Sequence, residues 1–167
     1  MLICELWKEL SPELNHKILE AACLHDKTLY RKVHGELAPA LKKRPKQVLD
    51  LPRAERHELY RPLLQIPIYF VLAQNLAINW LGHEGIELLT TFLDALGIEH
   101  DGKGCAEFFP NTVSREDLER AMKALLSSTR FSREESVFYL RLFPDISGVE
   151  WDDYEAVLEK TRQSVAA

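Results

Sequence analysis

Leu63-Leu-Gln-Ile-Pro-Ile-Tyr-Phe-Val-Leu-Ala-Gln-Asn-Leu-Ala-Ile-Asn-Trp-Leu81 is the most apolar run of the chain; it carries no charged residue and Gly82 follows it. A membrane span needs about 20 apolar residues, and roughly 18 or more without charge make a candidate. The run reaches that threshold in length but not in content. Gln65, Gln74, Asn75 and Asn79 would carry four amides into hydrocarbon, and Pro67 interrupts the first turn. A helix opening at Pro67, where a missing N–H costs nothing, is long enough for a domain core and too short to span. The stretch therefore predicts a buried central helix over 67–81, with amphipathic elements packed around it.

Downstream, Gly82 supplies a turn, and His83–Leu96 is expected to be a helix with Ile86, Leu89, Leu93 and Leu96 inward, stopped by Gly97. Two helices joined this closely are expected to pack as a pair. Upstream, Pro52 opens a helix that should stop at Tyr60, because a residue preceding proline (here Arg61) avoids the α region. Ser11-Pro12 caps and starts another helix, with Leu14, Ile18, Ala21 and Ala22 as its buried stripe. Asp26 caps the next, in which Leu29, Val33, Leu37 and Leu41 recur at helical spacing and Gly35 and Pro39 mark a kink or an end. Leu2–Leu10 is a short apolar-periodic segment, Lys42–Lys46 a linker, and Gln47–Leu51 a short element. In the last third, Ser114-Arg-Glu-Asp117, Ser132-Arg-Glu-Glu135 and Ser147-Gly-Val-Glu150 each resemble a capping box and predict three helix starts. Glu99–Val113 is the longest non-helical stretch, with a small extended piece expected near 105–109.

These elements predict an all-α fold: one irregular bundle of about seven or eight helices around 67–81 and 86–96. Its 167 residues read as a single domain over 1–167, with an N-terminal sub-bundle at 1–62 and a three-helix C-terminal part at 114–167. Hydrophobic content of 46% and charged content of 28% match an ordinary globular protein with a core of its own. Cys4, Cys23 and Cys105 are odd in number and lack CxxC spacing, which argues against a disulfide framework and for reduced thiols in a cytoplasm. Met1-Leu-Ile-Cys-Glu5 has no basic segment of the kind that opens a signal peptide. The expectation is a soluble, cytoplasmic protein with no membrane association.

The net charge of −5 is unevenly spread: residues 27–61 hold ten Lys and Arg against four acids, a local +6. Lys42, Lys43, Arg44 and Lys46 form the densest basic patch, and phosphate neutralisation by such clusters supplies general nucleic-acid affinity. The chain is acidic overall, however. The helix that would serve as a reading helix after Gly82 carries Glu84, Glu87 and Asp94 in its vicinity and no basic residue. Nucleic-acid binding through 27–61 is thus a minor alternative.

Catalytic patterns are incomplete. Gly97-Ile-Glu-His-Asp-Gly-Lys-Gly104 is one residue from a phosphate-binding loop, but Gly104 lacks the hydroxyl that holds magnesium, and Glu99 and Asp101 would repel phosphate. Its plainer reading is a helix stop followed by a turn. Glu13-x-x-His16 is half of what carboxylate-bridged di-iron bundles use, with no second copy; Glu20 lies four residues beyond His16. Glu13 and His16 are thus weak metal candidates, and no cofactor or catalytic residue is implied. Gln74, Asn75 and Asn79 are polar residues of the apolar helix that must find partners or line a small pocket. The leading functional expectation is a non-enzymatic interaction or adaptor module with a protein partner or a second copy. The alternative is a ligand-binding or enzymatic bundle with a site between helices.

Overall fold

The computed structural model describes residues 3–166, with Ala166 described by its backbone only. The fold is all-α, and among the described residues there are ten α-helices and no strand. The chain divides into two compact units, residues 1–84 and 85–167. The helices at 70–83 and 86–96 therefore belong to different units.

The first unit contains α1 (Ile3–Glu9), α2 (Pro12–His25), α3 (Lys27–Ala40), α4 (Pro45–Leu49), α5 (Arg53–Leu64) and α6 (Phe70–His83). Leu2, assigned by its spacing to the first apolar face, lies outside the described residues. Ser11 accepts a hydrogen bond from the Leu14 amide at 3.1 Å, and Asp26 from that of Leu29 at 2.9 Å, so both expected N-caps form. α2 packs against α3, α5 and α6. Its Ala21 and Ala22 are fully buried, and side chains this small allow close approach of neighbouring helices.

Two expectations about prolines are corrected. α5 does not stop at Tyr60 but continues through Pro62 to Leu64. The carbonyl that Pro62 leaves without an amide is that of Glu58, an exposed residue, and both residues face solvent. The helix expected from Pro67 begins at Phe70, because Pro67–Tyr69 closes a single 3-10 turn first. α6 buries Leu72, Ala73, Leu76, Ala77, Trp80 and Leu81, but exposes Phe70, Val71 and Ile78, so the apolar run is not buried all round. No described helix is long and apolar enough to cross a membrane.

The second unit contains α7 (Ile86–Leu96), α8 (Arg115–Leu126), α9 (Arg133–Ser147) and α10 (Tyr154–Ala166), with α8 packed against the other three. Gly97 ends α7 in the left-handed conformation at φ 69°, as expected of a C′ glycine. The Ser132–Glu135 capping box is complete, with Ser132 N donating to Glu135 Oε2 at 2.7 Å and Glu135 N to Ser132 Oγ at 3.1 Å. Ser114 caps α8, but its hydroxyl donates to Asp117 Oδ2 at 2.6 Å. Ser147 overturns the third expected start. It is the last residue of α9 and donates to Phe143 O, while Gly148 at φ 69° ends that helix. The extended piece expected at 105–109 is not a strand.

An aromatic cluster fills this unit. Phe92 meets Tyr139 and Phe143 edge-on at 5.8 and 5.1 Å, and Phe109, Trp151 and Tyr154 all lie against Phe143. Trp151 Nε1 donates to Pro110 O at 2.8 Å, which ties the long 98–113 loop to the cluster. Tyr154 Oη donates to Leu140 O at 2.7 Å, whereas the buried Tyr139 hydroxyl has no partner. Burial pushes both phenols well above the usual tyrosine range. The two tyrosines therefore respond oppositely to loss of the hydroxyl: Tyr154→Phe lowers stability by about 1–2 kcal/mol, while Tyr139→Phe leaves it unchanged or raises it. Urea midpoints of the two variants measure the contrast.

Candidate functional site

The densest concentration of polar chemistry lies in the first unit, along the seam where α5 meets α2 and α3. His16 and Glu20 stand one helical turn apart on α2, on one face. α5 brings Arg56 and His57, and α3 brings Tyr30 and His34. His57 has zero exposure, Arg56 is buried, and His16, Glu20, Tyr30 and His34 are half-buried.

His57 is held at both ring nitrogens. Nδ1 lies 2.8 Å from His16 Nδ1, and Nε2 lies 3.0 Å from Tyr30 Oη. Its carbonyl accepts from Asn15 Nδ2 at 3.4 Å, which fixes α5 in register on α2. Since two imidazole nitrogens share one short contact, one carries the proton and the other accepts it. Arg56 closes the far side of the seam: Nη2 donates to the carbonyls of Leu49 and Leu51 at 2.8 and 3.0 Å, and Nη1 to Tyr30 Oη at 3.3 Å. The guanidinium thereby satisfies the carbonyl that ends α4. A second pair runs parallel, with His34 Nδ1 2.6 Å from Tyr60 Oη.

Arg53 donates to Glu20 Oε1. The other carboxylate oxygen, Glu20 Oε2, is buried and has no partner. Ligand atoms of His16, Glu20 and His57 all lie within 4.8 Å of one another. Burial first, then the neighbouring charges of His16, Arg56 and Arg53, hold the His57 imidazole down at about 3 from an ordinary 6.5. Burial also lowers His34, and it raises Tyr60 to about 12.

The residues singled out by sequence scatter around this seam. His16 is in it, but Glu13 is exposed outside the cluster and Glu20 takes the place expected for it. Asn75 is exposed and Gln74 half-buried on α6, and Asn79 keeps a buried Oδ1 without a partner. Lys42, Lys43, Arg44 and Lys46 are exposed around the α3–α4 turn. Arg61, from the same basic region, donates to Leu10 O at 2.6 Å.

The Gly97–Gly104 loop shows how a near-motif is consumed by structure. Asp101 Oδ1 accepts from the amides of Lys103 and Cys105 at 2.7 and 3.0 Å, so the loop's own carboxylate occupies amides a phosphate would need. Those two hydrogen bonds hold Asp101 below the usual carboxylate range. Gly104 sits at φ 86°, where an added Cβ would fall 2.3 Å from Leu89 Cβ.

No family model matches the chain, and no curated protein or solved structure matches it.

A histidine whose folded pKa lies below its unfolded value binds fewer protons in the native state than in the unfolded one. Its contribution to stability is intact above pH 6.5 and is lost as pH falls toward 3. With chelator present, this one group should lower stability by at most about 1.4 kcal/mol per pH unit within that window. Denaturant titrations at several pH values check this. His57→Gln, which retains polar contacts but no imidazole, should flatten the slope.

Proposed function

We propose that this protein is a non-enzymatic interaction module that self-associates through the outward face of α6 and the turn before it. The carrying observation is the exposure of Ile68 at 80%, with Ile66, Phe70, Val71 and Ile78 each between 43 and 47% exposed. Five large apolar side chains within thirteen consecutive residues are costly to leave in water, at about 25 cal/mol per Å² of apolar surface.

A second copy suits this surface because the whole of Leu63–Leu81 is uncharged in a chain of net charge −5. A two-fold interface brings each patch against itself, so a face without charge meets its copy without like-charge repulsion. Phe70, Gln74 and Ile78 recur at helical spacing, as do Val71, Asn75 and Ile78, so two amides lie within the apolar face. Gln74 and Asn75 can hydrogen-bond their counterparts across the axis, which would set the register of the pairing.

Sedimentation equilibrium across a wide protein concentration range tests the reading. The native chain is expected to be dimeric, and Ile68→Asp combined with Ile78→Asp to be monomeric with unchanged helicity. A native chain that stays monomeric at the highest concentration contradicts it.

A further inference from the structure

We propose that His16, Glu20 and His57 form a binding site for a divalent transition-metal ion of the zinc class, separate from the α6 face. The placement comes from three independent features of the seam. First, α2 presents His16 and Glu20 on one face, and the Asn15–His57 hydrogen bond holds α5 so that His57 completes the set. Second, Glu20 Oε2 is buried without a donor, while Arg53 occupies only Oε1. A carboxylate oxygen kept from water calls for a hydrogen-bond donor or a cation of its own, and the two imidazoles beside it are ligands to the same class of ion. Third, His57 has the outer support that metal-bound histidines require. Tyr30 Oη lies 3.0 Å from Nε2 and can accept its proton, leaving the Nδ1 lone pair for the ion.

The geometry is close to what an ion needs. Two imidazole nitrogens on one tetrahedral zinc stand about 3.3 Å apart, against 2.8 Å between the Nδ1 atoms of His16 and His57. The rings must open by roughly 0.5 Å to reach that spacing. His16, half-buried on α2, is the one with room to move, whereas His57 is enclosed. Binding also shifts a tautomer. Without metal, a neutral pair keeps one proton between the two Nδ1 atoms. With metal, each ring carries its proton on Nε2, and no proton need leave the pair.

Two imidazoles and one carboxylate favour zinc, cobalt or nickel over calcium and magnesium, which take oxygen ligands. Three protein ligands leave a fourth position for water, and the half-buried His16 and Glu20 put that position on the solvent side of His57.

The test uses untagged, chelator-treated full-length protein titrated with Zn²⁺ in a calorimeter and with Co²⁺ in a visible spectrometer. The expected result is saturation at about one equivalent with cobalt d–d bands. His16→Gln and Glu20→Gln should each weaken zinc binding at least about tenfold with helicity retained, and Tyr30→Phe should weaken it about tenfold through the outer support. Zinc affinity unchanged in both His16→Gln and Glu20→Gln overturns the proposal. If those variants do not fold, the native protein decides: absence of saturable zinc binding and of cobalt bands overturns it, and their presence with a histidine-nitrogen signature supports it.

Discussion

The contact between His57 Nδ1 and His16 Nδ1, 2.8 Å long and part-buried, ties α5 to α2 at one register of the first unit. An imidazole with zero exposure must find a partner for each ring nitrogen, since each one left unsatisfied costs about 1–3 kcal/mol. Those partners come from two other helices, His16 on α2 and Tyr30 on α3. Shifting α5 by one residue would break both together, along with the Asn15 bond to the His57 carbonyl. Apolar side chains such as Ile18 and Leu19 supply the driving force for burial, but many registers would bury them. The polar seam selects one.

Arg56 shows how a charge is accommodated beside that seam. It follows α4 closely enough to donate to Leu49 O and Leu51 O, so the guanidinium is solvated by carbonyl dipoles at and just beyond the end of a short helix. The same positive charge disfavours protonation of His57 and His34. The second unit uses a different device. Its aromatic cluster is apolar, and polar atoms enter it mainly as anchors, the Trp151 indole on Pro110 O and the Tyr154 hydroxyl on Leu140 O. One unit is specified by ring nitrogens and the other by ring faces.

What could be read from sequence follows the range of the physics. Ser11, Asp26, Ser132 and Gly97 act within one helical turn, and a window of a few residues contains everything that decides them. Ser147-Gly-Val-Glu150 has the same composition as a start signal, but the left-handed Gly148 makes it a stop, and Trp151 beyond it lies back against Phe143 of the helix just ended. Pro62 was expected to end α5, yet a proline on an exposed helix face leaves its orphan carbonyl to water. The candidate site was the least legible part. His16 and His57 stand 41 residues apart, and no periodicity within either helix points to the other. The i, i+4 spacing of His16 and Glu20 was the one local signal, and Glu13 competed for it at i−3. In the apolar run, lack of charge suggested burial all round, whereas Phe70, Val71 and Ile78 face out.

The structure makes His57 a neutral imidazole locked between two hydrogen bonds. A two-dimensional proton–nitrogen spectrum of the imidazoles, recorded at pH 5 with chelator present, addresses it directly. His57 should carry one proton, in a single dominant tautomer, with slow exchange against solvent. A His57 ring bearing protons on both nitrogens at that pH, or exchanging freely with water, would contradict it.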